Sequence, residues 1–238
     1  MRKFKLILLA GFVFLIFLNN ALSQGYTPPM FTIGLTGEGS FAMHDAYGTN
    51  LSDTLRTYGM MWGRGVGIHI KFGLGKRKNH RIILAGTYNK FINSGSSSKS
   101  FVEPNPKIGN RTNYNIWTGM LGYEYCFNSR CRNKQFLGFG ATANLINAQP
   151  GAIDFDDAFR LGVYVNAGYE MVLDPKFKTG IFIGVKYNLA NILGQENGPR
   201  KMNDGAGTPG PGFWRRFGYI SLNLGFNFYT GTKMIKKY

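Results

Sequence analysis

FGYISLNLGFNFY, residues 217–229, alternates without a break. Ile220, Leu222, Leu224, Phe226 and Phe228 share one face of a strand. Tyr219, Ser221, Asn223, Gly225 and Asn227 share the other. Successive side chains of a strand point to opposite sides, so this period of two predicts a strand with one wholly apolar face. Either a soluble core or membrane hydrocarbon can cover such a face. The rest of the chain decides between them.

Seven further segments alternate in the same way: residues 30–41, 61–75, 80–91, 112–125, 135–145, 159–171 and 177–189. The closing segment itself extends back to Trp214. In the second segment Val66, Ile68, Ile70, Phe72 and Leu74 oppose Gly63, Gly65, Gly67, His69 and Lys71. In the sixth, Leu161, Val163, Val165, Ala167, Tyr169 and Met171 align. The IILA centre of the third segment, residues 82–85, leaves its facing open. Most segments exceed the usual soluble strand of about 5–6 residues and reach the roughly 9–11 that a tilted strand needs to cross a bilayer.

The joins alternate in length. Those after the second, fourth and sixth segments are short: KRKN, CFNSRCRNK and VLDPK. Those after the first, third, fifth and seventh are long, at residues 42–60, 92–111, 146–158 and 190–213. The expectation is an all-β fold, an eight-stranded antiparallel up-and-down transmembrane β-barrel, with both termini on the short-turn, periplasmic side.

Three features favour lipid outside the barrel. The polar face carries many glycines, among them Gly63, Gly65, Gly67, Gly162, Gly168, Gly180, Gly184 and Gly225, which suits a crowded narrow lumen. Aromatic residues sit near strand ends on the apolar face, as Trp62, Tyr125, Tyr169, Tyr187, Trp214 and Phe228 do; membrane barrels place such girdles at both interfaces. The polar face is also sparsely charged for a surface in water.

The N-terminus reads as a signal peptide over residues 1–23. Basic MRKFK precedes apolar LILLAGFVFLIFL and the small-residue site NNALSQ. Residues 24–238 are then the barrel domain. Losing Arg2, Lys3 and Lys5 takes the net charge from +16 to +13. Export directs that charge toward anionic lipid, lipopolysaccharide or cell-wall polymer and away from nucleic acid. Cell outer membrane is the expected location.

Eight alternating segments behind a signal peptide resemble the small outer-membrane barrels of Gram-negative bacteria, the outer-membrane protein A-like and PorT-like families. GYISLNLGFNFY resembles their terminal strand, which ends in an aromatic residue read by an assembly machinery. The basic tail TGTKMIKKY beyond it departs from that pattern. The resemblance implies an envelope role, with secretion or envelope assembly within its range.

Interior charges in so narrow a barrel must be paired. The expected interior network is Glu38, Lys71, Glu124, Arg160, Glu170, Lys178, Lys186 and Arg215. Glu38 and Glu124 would pair with Lys71, Arg160, Lys186 or Arg215, and Glu170 would face Lys178 across the Asp174–Pro175 turn. Cys126 and Cys131 flank the turn FNSR and are candidates for a disulfide in an oxidising compartment. Lys76, Arg77, Lys78, Arg130, Arg132 and Lys134 form a periplasmic basic rim, with Arg81 and Lys176 on the same side. That rim suits anionic headgroups or a periplasmic protein or cell-wall partner. His69 faces the lumen, His44 lies in a loop and His80 at a turn. They form no serine-histidine-carboxylate group, and no Cys/His cluster has metal-ligand spacing. The reading is a non-enzymatic structural or interaction barrel with no cofactor. A small pore and a lipid-modifying enzyme remain as alternatives.

Overall fold

A computed structural model of the chain describes residues 26–48, 57–93, 112–149, 155–174, 176, 178–207 and 213–234. The expected signal segment, and Lys236 and Lys237 of the tail, lie outside these residues. All eight alternating segments are strands: β2 (Phe31–His44), β3 (Trp62–Leu74), β4 (His80–Asn93), β5 (Thr112–Phe127), β6 (Asn133–Gln149), β7 (Ala158–Val172), β8 (Thr179–Leu193) and β9 (Phe217–Thr230). Each pairs antiparallel with the next, and β9 returns to β2 in a ladder from Phe31↔Thr230 to His44↔Phe217. The barrel is closed, so no strand edge is left unpaired.

Closure and facing follow from one constraint. Hydrocarbon offers no hydrogen bonds, so every backbone group at that depth must pair within the sheet. The side chains then sort by parity. Outside, Val66 is 64 %, Leu224 61 % and Phe226 60 % exposed, while Ser221 and Asn227 of the opposite face are fully buried. The apolar face of the opening stretch therefore points outward and its polar face inward. This is the inverse of a soluble barrel and answers the question posed by its alternation.

Pairing also resolves β4. Ile82 lies between Phe72 and Tyr123, both outward, so Ile82 and Leu84 face out. Arg81, Ile83, Thr87, Asn89 and Phe91 consequently line the lumen.

The strands run for 13 to 17 residues and exceed their apolar stretches. At about 3.3 Å per residue and a tilt near 40°, they rise roughly 33–43 Å. An apolar band is about 25 Å tall, so polar rims stand above and below it. That is why β6 begins at Asn133 and continues to Gln149, beyond the expected 135–145. Two further short strands were not expected. β1 (Tyr26–Thr27) pairs with β10 (Lys233–Met234) and joins the two ends of the barrel domain on the short-turn side.

One irregularity interrupts the ladders. Between β7 and β8 the register jumps from Leu161↔Leu193 to Val163↔Leu189. Gly162 lies against this bulge. A Cβ there would fall 2.2 Å from the Leu189 carbonyl oxygen and 2.8 Å from the Ala190 Cα. Only glycine admits so close an approach of backbone to backbone.

Candidate functional site

The lumen is filled in tiers. Nearest the short turns, five ionisable side chains from five strands converge: Lys71, Arg81, Glu124, Lys134 and Glu170. Lys71 Nζ lies 3.0 Å from Glu124 Oε2. Arg81 Nη1 bridges both carboxylates, 3.1 Å from Glu124 and 2.9 Å from Glu170. Lys134 Nζ is 3.1 Å from Glu170 Oε1, and the Tyr229 hydroxyl donates to the same oxygen at 2.8 Å. Lys71 also sits 4.5 Å from the centre of the Phe136 ring, and Lys134 4.7 Å from that of Tyr229. None of the five ionisable side chains is more than 5 % exposed. Three cations thus share two carboxylates in a dry setting, where each ion depends on its partners.

Above this cluster lies a cavity of about 60 Å³. Glu38, His69, Lys71, Thr87, Tyr164, Asn166, Lys186 and Asn223 contribute to its wall. The Tyr164 hydroxyl, Thr87 Oγ1, Asn166 Oδ1 and Asn223 Oδ1 are buried without a hydrogen-bond partner. Ile83, Met120, Phe136 and Phe182 also line the wall, and the unpartnered polar atoms suit a few water molecules in a chamber of this size. At its side Lys186 Nζ meets Glu38 Oε1 at 2.7 Å, and Asn89 donates to Glu38 Oε2 at 2.9 Å. Ser40 links Asn89 to Ser221. Thr118, Asn144, Asn188 and Tyr219 continue the polar network upward.

The upper lumen is apolar. Phe91, Tyr114, Ile116, Ile146 and Phe217 project inward and meet Tyr58, Met60, Phe155 and Met202 from the long connections. The Tyr114 hydroxyl donates to the Tyr58 carbonyl at 2.6 Å, and the Tyr58 hydroxyl to that of Met202 at 3.1 Å. Burial pushes the Tyr58 phenol well above the usual tyrosine range, against the opposing pull of Arg215. The Arg215 guanidinium stacks 3.8 Å from the Tyr58 ring centre. Arg160 holds Asp204 with two bonds, Nε to Oδ2 at 2.8 Å and Nη2 to Oδ1 at 2.9 Å.

The structure gives each expected interior charge its own surroundings. Glu124 pairs with Lys71 and Glu38 with Lys186, two of the combinations allowed. Arg160 turns to Asp204 and Glu196 of the last long connection. Arg215 stacks on Tyr58, with no ion pair among the described residues. Lys178 does not belong to the interior network: it is exposed at the turn, where its backbone N–H donates to Asp174 Oδ1 at 2.7 Å. Parity does not apply to it, because the strand begins at Thr179. Lys134 does not belong to the basic rim, for β6 starts at Asn133, two residues earlier than expected, and turns it into the lumen, fully buried. Arg81 is likewise interior.

Lys76, Arg77 and Arg130 are exposed turn residues, with Lys78 and Arg132 half-buried beside them. Ser129 ties the two turns together, its hydroxyl 2.6 Å from the Arg77 carbonyl and 2.8 Å from Asn79 Oδ1. The expected disulfide is absent: Cys126 and Cys131 are free thiols. Cys126 faces the lumen, its Sγ 3.0 Å from Arg81 Nη2, whereas Cys131 stands in the turn. Cys126 lies within β5, whereas Cys131 lies beyond its end. His69 is buried in the lumen, 3.0 Å from Asn227. His44 closes β2 and reaches the Tyr187 hydroxyl at 2.6 Å, and His80 opens β4 beside Tyr123. Among the described residues no three His, Cys, Asp or Glu side chains group as metal ligands.

No protein-family model and no curated protein sequence matches the chain. Solved structures do. Neisserial surface protein A aligns over 86 % of this chain and 99 % of its own, at 14 % identity and a TM-score of 0.51. The fold is that of a small outer-membrane barrel. The outer membrane protein OprG from Pseudomonas aeruginosa aligns at 10 % identity and a TM-score of 0.44, covering 89 % of this chain and 99 % of its own. Ail, the attachment invasion locus protein of Yersinia pestis, aligns at 12 % identity and 0.42, covering 86 % and 99 %. At such identities the likeness is one of fold, and the roles of those proteins stay with them.

Proposed function

We propose that this chain is a non-enzymatic outer-membrane β-barrel with a structural or interaction role in the cell envelope. The observation that carries this reading is the occupied lumen. A five-residue ion cluster crosses its lower end, and an aromatic and aliphatic cap crosses its upper end. Both are built from side chains with fixed partners, which suits a rigid post better than a conduit. The apolar exterior places the post in lipid. The long connections then face outward, and the basic turns around Lys76, Arg77, Lys78, Arg130 and Arg132 face the periplasm. There they meet anionic headgroups or a periplasmic partner by charge.

The test is membrane fractionation with a heat-modifiability gel, followed by planar-bilayer recording of the purified protein. We expect outer-membrane recovery, a mobility shift on boiling and no discrete conductance. Steady single-channel steps, abolished by bulky residues at Gly65 and Gly67, would establish the pore reading instead. Altered lipopolysaccharide on deletion, with sensitivity at His44 or His69, would establish the lipid-modifying one.

A further inference from the structure

The eight barrel strands place their charges almost entirely inward. Two side chains break this rule. Arg64 of β3 and Lys90 of β4 occupy outward positions, Arg64 exposed and Lys90 half-buried. They are direct register partners across the two strands. Neither has an ion pair among the described residues. Like charges opposed on neighbouring strands repel, and a lipid-facing cation is tolerated only near an interface. Both residues lie within four positions of the upper ends of their strands, at the rim beside the long connections.

Directly beneath this pair the outer wall is indented. A groove of about 690 Å³ begins at Val66 and Tyr88, each two residues below one of the cations, and so about 5 Å further into the membrane at a strand tilt near 40°. Its floor is Gly86 and Gly119, register partners at outward positions. A Cβ on Gly86 would meet nothing within 4 Å, and one on Gly119 only the Ala143 carbonyl at 4.0 Å. The Tyr88 and Trp117 rings, 4.6 Å apart, form a ledge over that floor. Outward glycine contributes nothing to a lipid-facing wall except depth.

We infer that Arg64, Lys90 and the groove below them form a binding site for an acylated, phosphorylated lipid of the outer leaflet, of the lipid A class. Two adjacent cations at headgroup height complement a phosphate, and an apolar trough that starts one outward position below them and crosses the wall from Leu35 to Phe159 complements acyl chains. The outer rim selects lipid A over phospholipid, because the short-turn rim of the barrel faces the opposite leaflet. The inference rests on the outer-membrane reading above, which fractionation tests separately.

The experiment uses the full mature chain in nanodiscs, titrated with diphosphoryl lipid A, its dephosphorylated form and phosphatidylglycerol, with retained lipid read by native mass spectrometry. A surface cation contributes about five-fold to the binding of an anionic headgroup, so two contribute roughly twenty-five-fold. We expect wild type to prefer diphosphoryl lipid A over the dephosphorylated form by that factor. Arg64→Gln with Lys90→Gln should abolish the preference. Gly86→Leu with Gly119→Leu should weaken both forms of lipid A while leaving the heat-modifiability shift intact, since the added side chains enter open space. Equal retention of the two forms of lipid A by wild type would overturn the inference without recourse to any variant. Equal retention of phosphatidylglycerol would overturn the choice of lipid.

Discussion

Glu170→Gln is the sharpest probe of the lower lumen. Glu170 accepts from Arg81, Lys134 and Tyr229, and Lys71 lies 3.9 Å away. Glutamine keeps its size and one acceptor oxygen but removes the charge. Three buried cations would then surround the single carboxylate of Glu124. Breaking a buried pair from one side costs about 3–5 kcal/mol, because the remaining charge is stranded away from water. With a urea slope of about 2 kcal/mol per molar, the unfolding midpoint should fall by about 2 M. Trp62, Trp117 and Trp214 are 65 %, 57 % and 61 % exposed on the outside, so their fluorescence in micelles reports loss of the lipid-facing wall. Lys134→Met in the Glu170→Gln background restores the balance to two cations and one carboxylate. It should recover about half of the loss, and a double-mutant cycle would show that coupling. A Glu170→Gln loss below about 1 kcal/mol, or a Lys134→Met change that deepens it, would refute the idea that the cluster is a dry plug whose ions depend on one another.

Three other outcomes follow from the packing. Tyr229→Phe removes a bond to a buried carboxylate and should cost about 1.5–3 kcal/mol, whereas Tyr164→Phe removes a hydroxyl without a protein partner and should stay within about 1 kcal/mol of wild type. Equal costs in urea melts would contradict the contrast. Gly162→Ala drives a Cβ into the Leu189 carbonyl and should cost at least about 1–3 kcal/mol, while Gly86→Ala should be neutral or stabilising. Finally, intact-mass analysis after maleimide treatment should find Cys131 labelled in the folded protein and Cys126 labelled only after unfolding. A protein that resists labelling until it is reduced would restore the disulfide.

Arg81 illustrates where sequence reasoning stops. Its neighbours Ile82, Ile83, Leu84 and Ala85 carry no alternation, so its side of the wall is set by β3 and β5 through the register. The alternation of residues 135–145 stops one residue short of Lys134, which the strand contains. In a period-two element that shortfall is enough to exchange lumen for turn. Asp204, the partner of Arg160, lies 44 residues away in a connection rich in glycine and asparagine that carries no local signal for it. Arg64 and Lys90 stand on the apolar parity of their strands in plain view. Only their pairing across β3 and β4, above a groove, makes them a site.

By itself the sequence determined the number of barrel strands, their order, the short and long connections and the parity of seven of the eight walls. Those properties follow from local periodicity, which the chain displays residue by residue. Tertiary structure decided which cation meets which carboxylate, that two cysteines five residues apart face different surroundings, and that an aromatic cap fills the upper lumen. Those depend on closure. Bringing β9 back onto β2 sets the register of every strand, and with it the height at which each inward side chain meets the others.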